Sequence, residues 1–554
     1  LNRMSRPPLR VIPLGGLGEI GRNMMLLEYA DDLIVIDVGL MFPEEEMLGV
    51  DLVIPDFTYV RERRDALRAV FLTHGHEDHV GALPYFLREF QVPVYSTRLT
   101  DGLVRVKLAE HRLLDRAELH VVKPGDVVRA GVFEVEFFQV AHSIPDACGL
   151  IIRTPYGPVV HTGDFKLDHT PVMNQHTDLI RLAQVGAEGC LLLLADSTYA
   201  EQEGFTPSEE LVGHALRNIM AEAPGRVIVA TFASLISRVQ QVIDAAVATG
   251  RKVFVTGRSM IDNVAMAQRL GYLNVPEGTL VGVEEMRQIP HRQLAVITTG
   301  SQGEPTSALT RMANGDHRHI TITKGDTVVL SATAIPGNEH AVFRNVDNLF
   351  RLGANVLYNR VANVHVRGHA SREELKIIQS IVQPEYFVPI HGEYRHLVVH
   401  ARLAEAVGVP EGNAFVLTDG DVLEIDDECA RIAGRVPASY VYVDGLGIGD
   451  IDQHILRDRA HLSTDGVVVV IAAVDKLTGK LTRPAEILTR GFVDEEEQSE
   501  LLEQCREVVA KALALADHIA DFGEVNTRIK DAVGRFLYEK TRRRPMVLTV
   551  TVEV

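Results

Sequence analysis

From Leu9 to Ser197 short apolar runs alternate with turns rich in Gly and Asp; the runs span residues 11–14, 33–38, 70–72, 132–140, 150–152 and 191–194. Runs this short, bounded by turn residues, predict strands, with few long helical patterns. Many of the polar residues that follow them are His or Asp, so the strand ends are expected to converge on one edge, where ligands commonly sit. At Thr206 the texture changes. Thr206, Pro207 and Glu209 read as a capping box with Pro at the first helical position, ahead of Leu211, Val212, Ala215, Leu216 and Ile219 at helical spacing. Strand-like segments at 227–231, 253–256, 296–299 and 328–331 then each end in a small polar loop: Ala233 with Ser234, residues 257–259, residues 300–303, and Pro336 with Gly337. Strands alternating with helices predict a parallel sheet whose carboxyl edge carries binding loops. A third unit starts near Asp465, with an apolar run at 467–471, a turn at 476–480 and a helical stretch at 495–518. It closes on a strand with Leu548, Val550, Val552 and Val554 on one face and Thr549, Thr551 and Glu553 on the other.

The length of 554 residues, 46% of them hydrophobic, fits three or four cores at about 150 residues each. Lys and Arg number 56 against 75 Asp and Glu, a formal charge of −19, which argues against a basic coat over nucleic acid. A cleft needs only a few cations, and bound divalent metal adds positive charge that the count omits. Cys148, Cys190, Cys429 and Cys505 form no CxxC pair, so neither a disulfide framework nor a thiolate zinc site is expected, and a reducing cytoplasm fits. No apolar stretch approaches the ~20 residues of a membrane span, and residues 1–9 lack a signal-peptide core. Neither membrane insertion nor export is expected.

The segment Thr73-His74-Gly75-His76-Glu77-Asp78-His79 directly follows an apolar run. On a loop leaving a strand, His74 and His76 can face one point while Asp78 and His79 face a second beside it. Imidazole and carboxylate suit zinc or a similar divalent ion. A lone histidine would be explained by a solvated loop; three histidines and an aspartate within six positions point to metal. Further ligands are expected from other strand ends: His142, Asp164 in His161-Thr162-Gly163-Asp164, and His391 in Pro389-Ile390-His391-Gly392-Glu393.

These motifs resemble the metallo-β-lactamase superfamily, whose HxHxDH pattern is matched by His74, His76, Asp78 and His79, with later motifs at His142 and Asp164. The resemblance implies an αββα sandwich and two metals, Zn2+ or Mn2+. In that pattern His74, His76 and His142 hold one ion, Asp78, His79 and His391 hold the other, and Asp164 bridges. The long insertion between Asp196 and Arg367-Gly368-His369-Ala370-Ser371 resembles the β-CASP nuclease branch, with Asp196, His369 and His391 matching its extra motifs. Branch members that act on RNA resemble this chain in having His at position 391, whereas DNA-repair members typically have an apolar residue there.

Along essentially its whole length the chain resembles the bacterial ribonuclease J family. This implies an α/β sandwich in two parts (1–207 and 364–449), a β-CASP α/β insertion (208–363), a linker (450–464) and a small α+β domain (465–554). It also implies 5′ to 3′ exonuclease action, with endonuclease action besides, on single-stranded, 5′-monophosphorylated RNA, and a homodimer formed through the last domain. Asp78, Asp196 and His369 are implied in catalysis, with His369 oriented by Asp196 as the acid for the leaving 3′ oxygen. Ala233, Ser234 and Leu235, together with His365, Val366, Arg367, Gly368, His369 and Ser371, are implied in substrate binding, although Ser234 and Ser371 could equally cap helices. A structural Ca2+ is implied at Gly49, Asp51 and Asp444, where turn aspartates would serve as well. Other readings are a β-CASP DNA nuclease, which His391 argues against, and a metallo-hydrolase of small esters or thioesters, which would not need the inserted domain.

Overall fold

The computed structural model describes residues 6–44, 46–334, 338–475, 480–493, 499–514 and 522–554. The chain divides into two compact units, Leu1–Phe42 with Val53–Val441, and Pro43–Leu52 with Tyr442–Val554.

Among the described residues of the first unit, an eight-stranded and a six-stranded sheet pack face to face. Leu9, Val11, Leu27, Ile34 and Phe71 from one meet Phe133, Val135, Leu150, Leu192 and Val388 from the other, all fully buried. Phe71 and Phe137 approach to 6.0 Å between ring centroids across this layer. On the outer face of the six-stranded sheet, Ile151, Val160, Leu193 and Phe387 are covered by the helices Leu179–Glu188 and Arg372–Val382. The result is a two-sheet sandwich flanked by helices.

The inserted segment forms a five-stranded, all-parallel sheet in the order Lys252–Thr256, Leu294–Thr298, Val227–Ala230, Thr327–Leu330, Asn355–Tyr358. Its three central strands are buried along their whole length, and the middle one, Val227–Ala230, is apolar throughout, as burial on both faces requires. Val227 and Val229 join Val212, Leu216 and Val239 on one side, while Ile228 and Ala230 join Leu309, Met312 and Leu349 on the other. The edge strand Asn355–Tyr358 carries a weaker apolar signal and was not singled out by its sequence.

Two expectations change. The first helix of the insertion is Glu210–Glu222, with Glu209 at its N-cap, so Thr206 does not cap it. Thr206 instead donates its hydroxyl to the His369 carbonyl at 2.7 Å. The segment expected as a linker contains the helix Gln453–Asp465, capped by the Asp452 side chain. The stretch from Leu9 to Ser197 is strand-rich as expected, with Arg98–Glu110 and Leu179–Glu188 as its longer helices. The loop at Pro336 and Gly337, the turn at 476–479 and the ends of the stretch 495–518 lie outside the described residues.

In the second unit the sheet runs Glu486–Arg490, Val467–Val474, Met546–Glu553. One face packs Val468, Val470, Ile487 and Val547 against Cys505, Val509, Ile529, Val533 and Leu537 of the helices Ser499–Ala514 and Phe522–Thr541. The other presents Leu548, Val550 and Val552 at 47%, 47% and 44% exposure, next to Val469 and Ile471 in register.

Candidate active site

The strand Leu67–Phe71 lies in parallel between Asp32–Ile36 and Val94–Thr97 and ends ahead of His74. After His76 the chain turns into the short helix Glu77–Val80, so Asp78 and His79 are presented from a different direction than the first two histidines. Three strands of the other sheet, Gly157–His161, Leu192–Asp196 and Tyr386–Ile390, run in parallel register, which sets Asp164, Asp196 and His391 side by side at their carboxyl ends. His142 follows Phe133–Gln139. Gly163 is needed in the turn before Asp164: its φ is +58°, and an added Cβ would lie 2.7 Å from the Cys148 carbonyl oxygen. His391 adopts φ +53°, a left-handed conformation uncommon for a side chain of this size.

The ligand atoms of His74, His76, His142 and Asp164 all lie within 4.8 Å of one another, as do those of Asp78, His79, Asp164 and His391. His76 Nδ1 is 3.0 Å from His74 Nε2 and 3.2 Å from His142 Nε2. Tetrahedral zinc with bonds of ~2.05 Å has nitrogen–nitrogen edges of about 3.3 Å, so this crowding of ring nitrogens fits a cation between them. Asp164 Oδ2 faces both groups, 3.5 Å from His74 Nε2 and 3.7 Å from His142 Nε2 on one side, 3.3 Å from His79 Nε2 and 3.5 Å from His391 Nε2 on the other. Asp78 Oδ2 stands 3.3 Å from His391 Nε2.

The far nitrogens of His142, His79 and His391 are held as a metal-binding histidine requires. His142 Nδ1–H donates to the Gly368 carbonyl at 2.8 Å, and His79 Nδ1–H to Asp37 Oδ2 at 2.7 Å. His391 Nδ1 meets Thr198 Oγ1 at 2.7 Å, and that hydroxyl donates to Asp196 Oδ1 at 2.7 Å. His369 Nδ1 bonds Asp196 Oδ2 at 2.7 Å, leaving Nε2 as the ring's outward nitrogen.

Electrostatics divide the histidines. Burial, and then neighbouring His79, push His74 well below its usual pKa; burial brings His76 to about 4. His142 is likewise lowered by burial. For His79 and His391 burial also disfavours the cation, but Asp164 and the other carboxylates outweigh it and raise both. Burial would raise Asp164, yet His391, His79 and His74 hold it well below the ordinary carboxylate range. His369 is raised because Asp196 outweighs its burial.

The residues expected to bind substrate fall into two segments. Ala233, Ser234 and Leu235 precede the helix Ile236–Ala248, which is tied beside His142 by the Ser237 hydroxyl donating to the Ser143 carbonyl at 2.9 Å. In the second segment Arg367 stacks over Tyr199 at 4.8 Å, Val366 is buried, and a Cβ on Gly368 would lie 2.9 Å from His142 Cε1. His365 is brought down to about 4 by burial and by Arg238. Ser371 is 3% exposed, and its hydroxyl caps the helix Arg372–Val382 and bonds Thr206 Oγ1 at 2.8 Å. In the second unit Asp51 Oδ2 accepts the Gly445 N–H at 2.8 Å, and Asp444 Oδ2 pairs with Arg459 at 2.6 Å, whose guanidinium also lies against Gly49. A calcium ion there would share Asp444 with an arginine.

Asn23, Asp37, Thr73 and Thr198 were missed. Asn23 Nδ2 lies 3.2 Å from His79 Nε2, and Asp37 accepts from both the Thr73 amide and hydroxyl at 2.7 Å. The available signal was a charged residue, Asp37, inside the apolar run 33–38.

The Metallo-beta-lactamase superfamily matches residues 17–196, the Ribonuclease J beta-CASP domain 224–349, the Zn-dependent metallo-hydrolase RNA specificity domain 354–416, and the Ribonuclease J C-terminal domain 454–554. Ribonuclease J2 of Bacillus subtilis is 42% identical over 548 residues, 99% of each chain. Ribonuclease J of Thermus thermophilus is 45% identical over 556 residues, 98% of this chain and 95% of that one. A crystal structure of a protein of unknown function from Enterococcus faecalis shares the fold at 18% identity and TM-score 0.55, covering 76% of this chain and all of that one. The sandwich, the inserted sheet and full-length relatives at this identity together show that the chain belongs to the ribonuclease J family of metal-dependent ribonucleases.

Proposed function

We propose that this chain degrades single-stranded RNA from a 5′-monophosphorylated end, with internal cleavage as a second mode. The observation that carries the reading is the pair of ligand sets sharing one Asp164 oxygen beside the His369–Asp196 pair. His74, His76, His142 and Asp164 would hold one divalent ion, and Asp78, His79, His391 and Asp164 a second, zinc or manganese. Such ions would stabilise charge on the phosphoryl group and lower the pKa of bound water. His369 passes a proton from Nε2 to the leaving 3′ oxygen, while Asp196 holds Nδ1 and so fixes the ring's tautomer and aim. Arg367, exposed and stacked on Tyr199, offers a cation to the backbone of the entering strand. The match of residues 354–416 to an RNA specificity domain, which includes His369 and His391, favours RNA over DNA.

The 5′ preference rests on Ser234 and the amides that open the helix Ile236–Ala248, near His142. The uncovered face of Leu548, Val550 and Val552 supports self-association through the second unit. Buried thiols at Cys148, Cys190 and Cys505 fit a cytoplasmic setting. Calcium at Gly49, Asp51 and Asp444 is proposed on the carboxylate pair alone.

Degradation of 3′-labelled RNA bearing a 5′-monophosphate, triphosphate or hydroxyl tests the exonuclease reading. The 5′-monophosphate substrate should be degraded fastest, and Ser234→Ala should reduce that preference by roughly tenfold or more, as expected for a charged hydrogen bond of about 1.5–3 kcal/mol. Equal rates on all three ends would overturn end recognition.

A further inference from the structure

Glu374 lies on the helix Arg372–Val382, and none of its surface reaches solvent. Its carboxylate accepts three main-chain N–H groups from three separate places. Oε1 takes Leu167 at 2.8 Å; Oε2 takes Thr206 and Ser371, each at 2.7 Å. Leu167 follows Asp164 on the metal loop, Thr206 lies where the chain leaves for the inserted sheet, and Ser371 follows His369 where it returns. Capping the helix requires only the Ser371 end of this arrangement. The other two bonds join segments that have no part in the helix.

The neighbouring bonds aim at the same target. Thr206 Oγ1 donates to the His369 carbonyl at 2.7 Å, Ala370 N–H donates to the Phe165 carbonyl at 2.7 Å, and the Gly368 carbonyl receives His142 Nδ1–H. The loop carrying His369 therefore hangs from Glu374 on one side and from the Asp164 loop on the other. A buried carboxylate satisfied by N–H dipoles is a rigid anchor, and replacing it leaves buried donors unpaired.

We propose that Glu374 is a positioning residue of the nuclease site, setting the His369 imidazole against Asp196 and Asp164. This rests on the reading that His369 passes the proton to the leaving oxygen. The test is a double-mutant cycle between Glu374→Gln and His369→Ala, read as kcat and KM on RNA, with zinc per chain and Tm measured alongside. Glu374→Gln keeps the shape but turns an amide NH2 toward the donors. Its kcat should fall about 100-fold, the scale of an ångström of misplacement, with KM and metal content nearly unchanged. Added to His369→Ala it should cause little further loss, because both act through one ring. Thr206→Val, which removes only the hydroxyl on the His369 carbonyl, should show the same non-additivity and serves if Glu374→Gln does not fold. A lowered Tm with unchanged kcat, or losses that multiply in the double variant, would overturn the role of Glu374. Absence of RNA hydrolysis by the unsubstituted chain would overturn the functional reading beneath it.

Discussion

Asp164 is the residue on which the site turns, since one oxygen faces both ligand groups and its carboxylate lies between four imidazoles. His76 and Asp78 stand on either side of the bend that separates the two groups, and neither is among the fully buried core side chains. His76→Ala and Asp78→Ala should therefore abolish hydrolysis while leaving the circular dichroism spectrum and cooperative unfolding essentially intact. Near-normal activity with full metal content in either variant would remove the basis of the site. The residues from His74 to His79 were legible because they are contiguous. Asn23 and Thr198 were not, because each arrives from a different strand end and acts by a hydrogen bond to a ligand residue, which leaves no spacing in the sequence; Asp37 left only a charge inside an apolar run.

At the scale of elements, the helix Ile236–Ala248 is anchored by a buried ionic network that the apolar pattern could not reveal. Arg238, with no exposed surface, pairs with Glu209 at 2.5 Å and donates to the Val364 carbonyl at 3.1 Å, and so touches both passages of the chain into and out of the inserted sheet. Lys166 stands 3.3 Å from Asp168 and 3.7 Å from Glu209. Arg238→Met leaves Glu209 without its guanidinium and should cost about 3–5 kcal/mol in urea unfolding, and adding Glu209→Gln should recover part of that loss. Equal stability of Arg238→Met and the unsubstituted chain would show that the network carries no net weight. The strand and helix alternation of the insertion was readable from period and length. Thr206 was misread because a Thr-Pro-x-Glu pattern satisfies the local capping rule, whereas its hydroxyl finds a stronger tertiary partner in the loop of His369.

At the scale of the molecule, the alternation of the last strand was read as one apolar face, and the structure places Leu548, Val550 and Val552 on the exposed side of its sheet. Leu548→Lys with Val550→Lys should leave the fold intact and lower the mass found by light scattering toward that of one chain; an unchanged oligomer would move self-association to another surface. The division between the units was less legible, because Pro43–Leu52 joins residues from Tyr442 onward, a long-range pairing that no local pattern encodes. On the proposed reading, hydrolysis of RNA runs on divalent metal held by these histidines and aspartates. The most direct measurement is the rate on 5′-monophosphorylated RNA for the full chain stripped by a chelator and then reloaded with zinc or manganese, beside Asp78→Ala treated in the same way. Stripping should abolish hydrolysis, reloading should restore it, and Asp78→Ala should show no recovery. Undiminished hydrolysis by the stripped chain, or full recovery by Asp78→Ala, would contradict that reading.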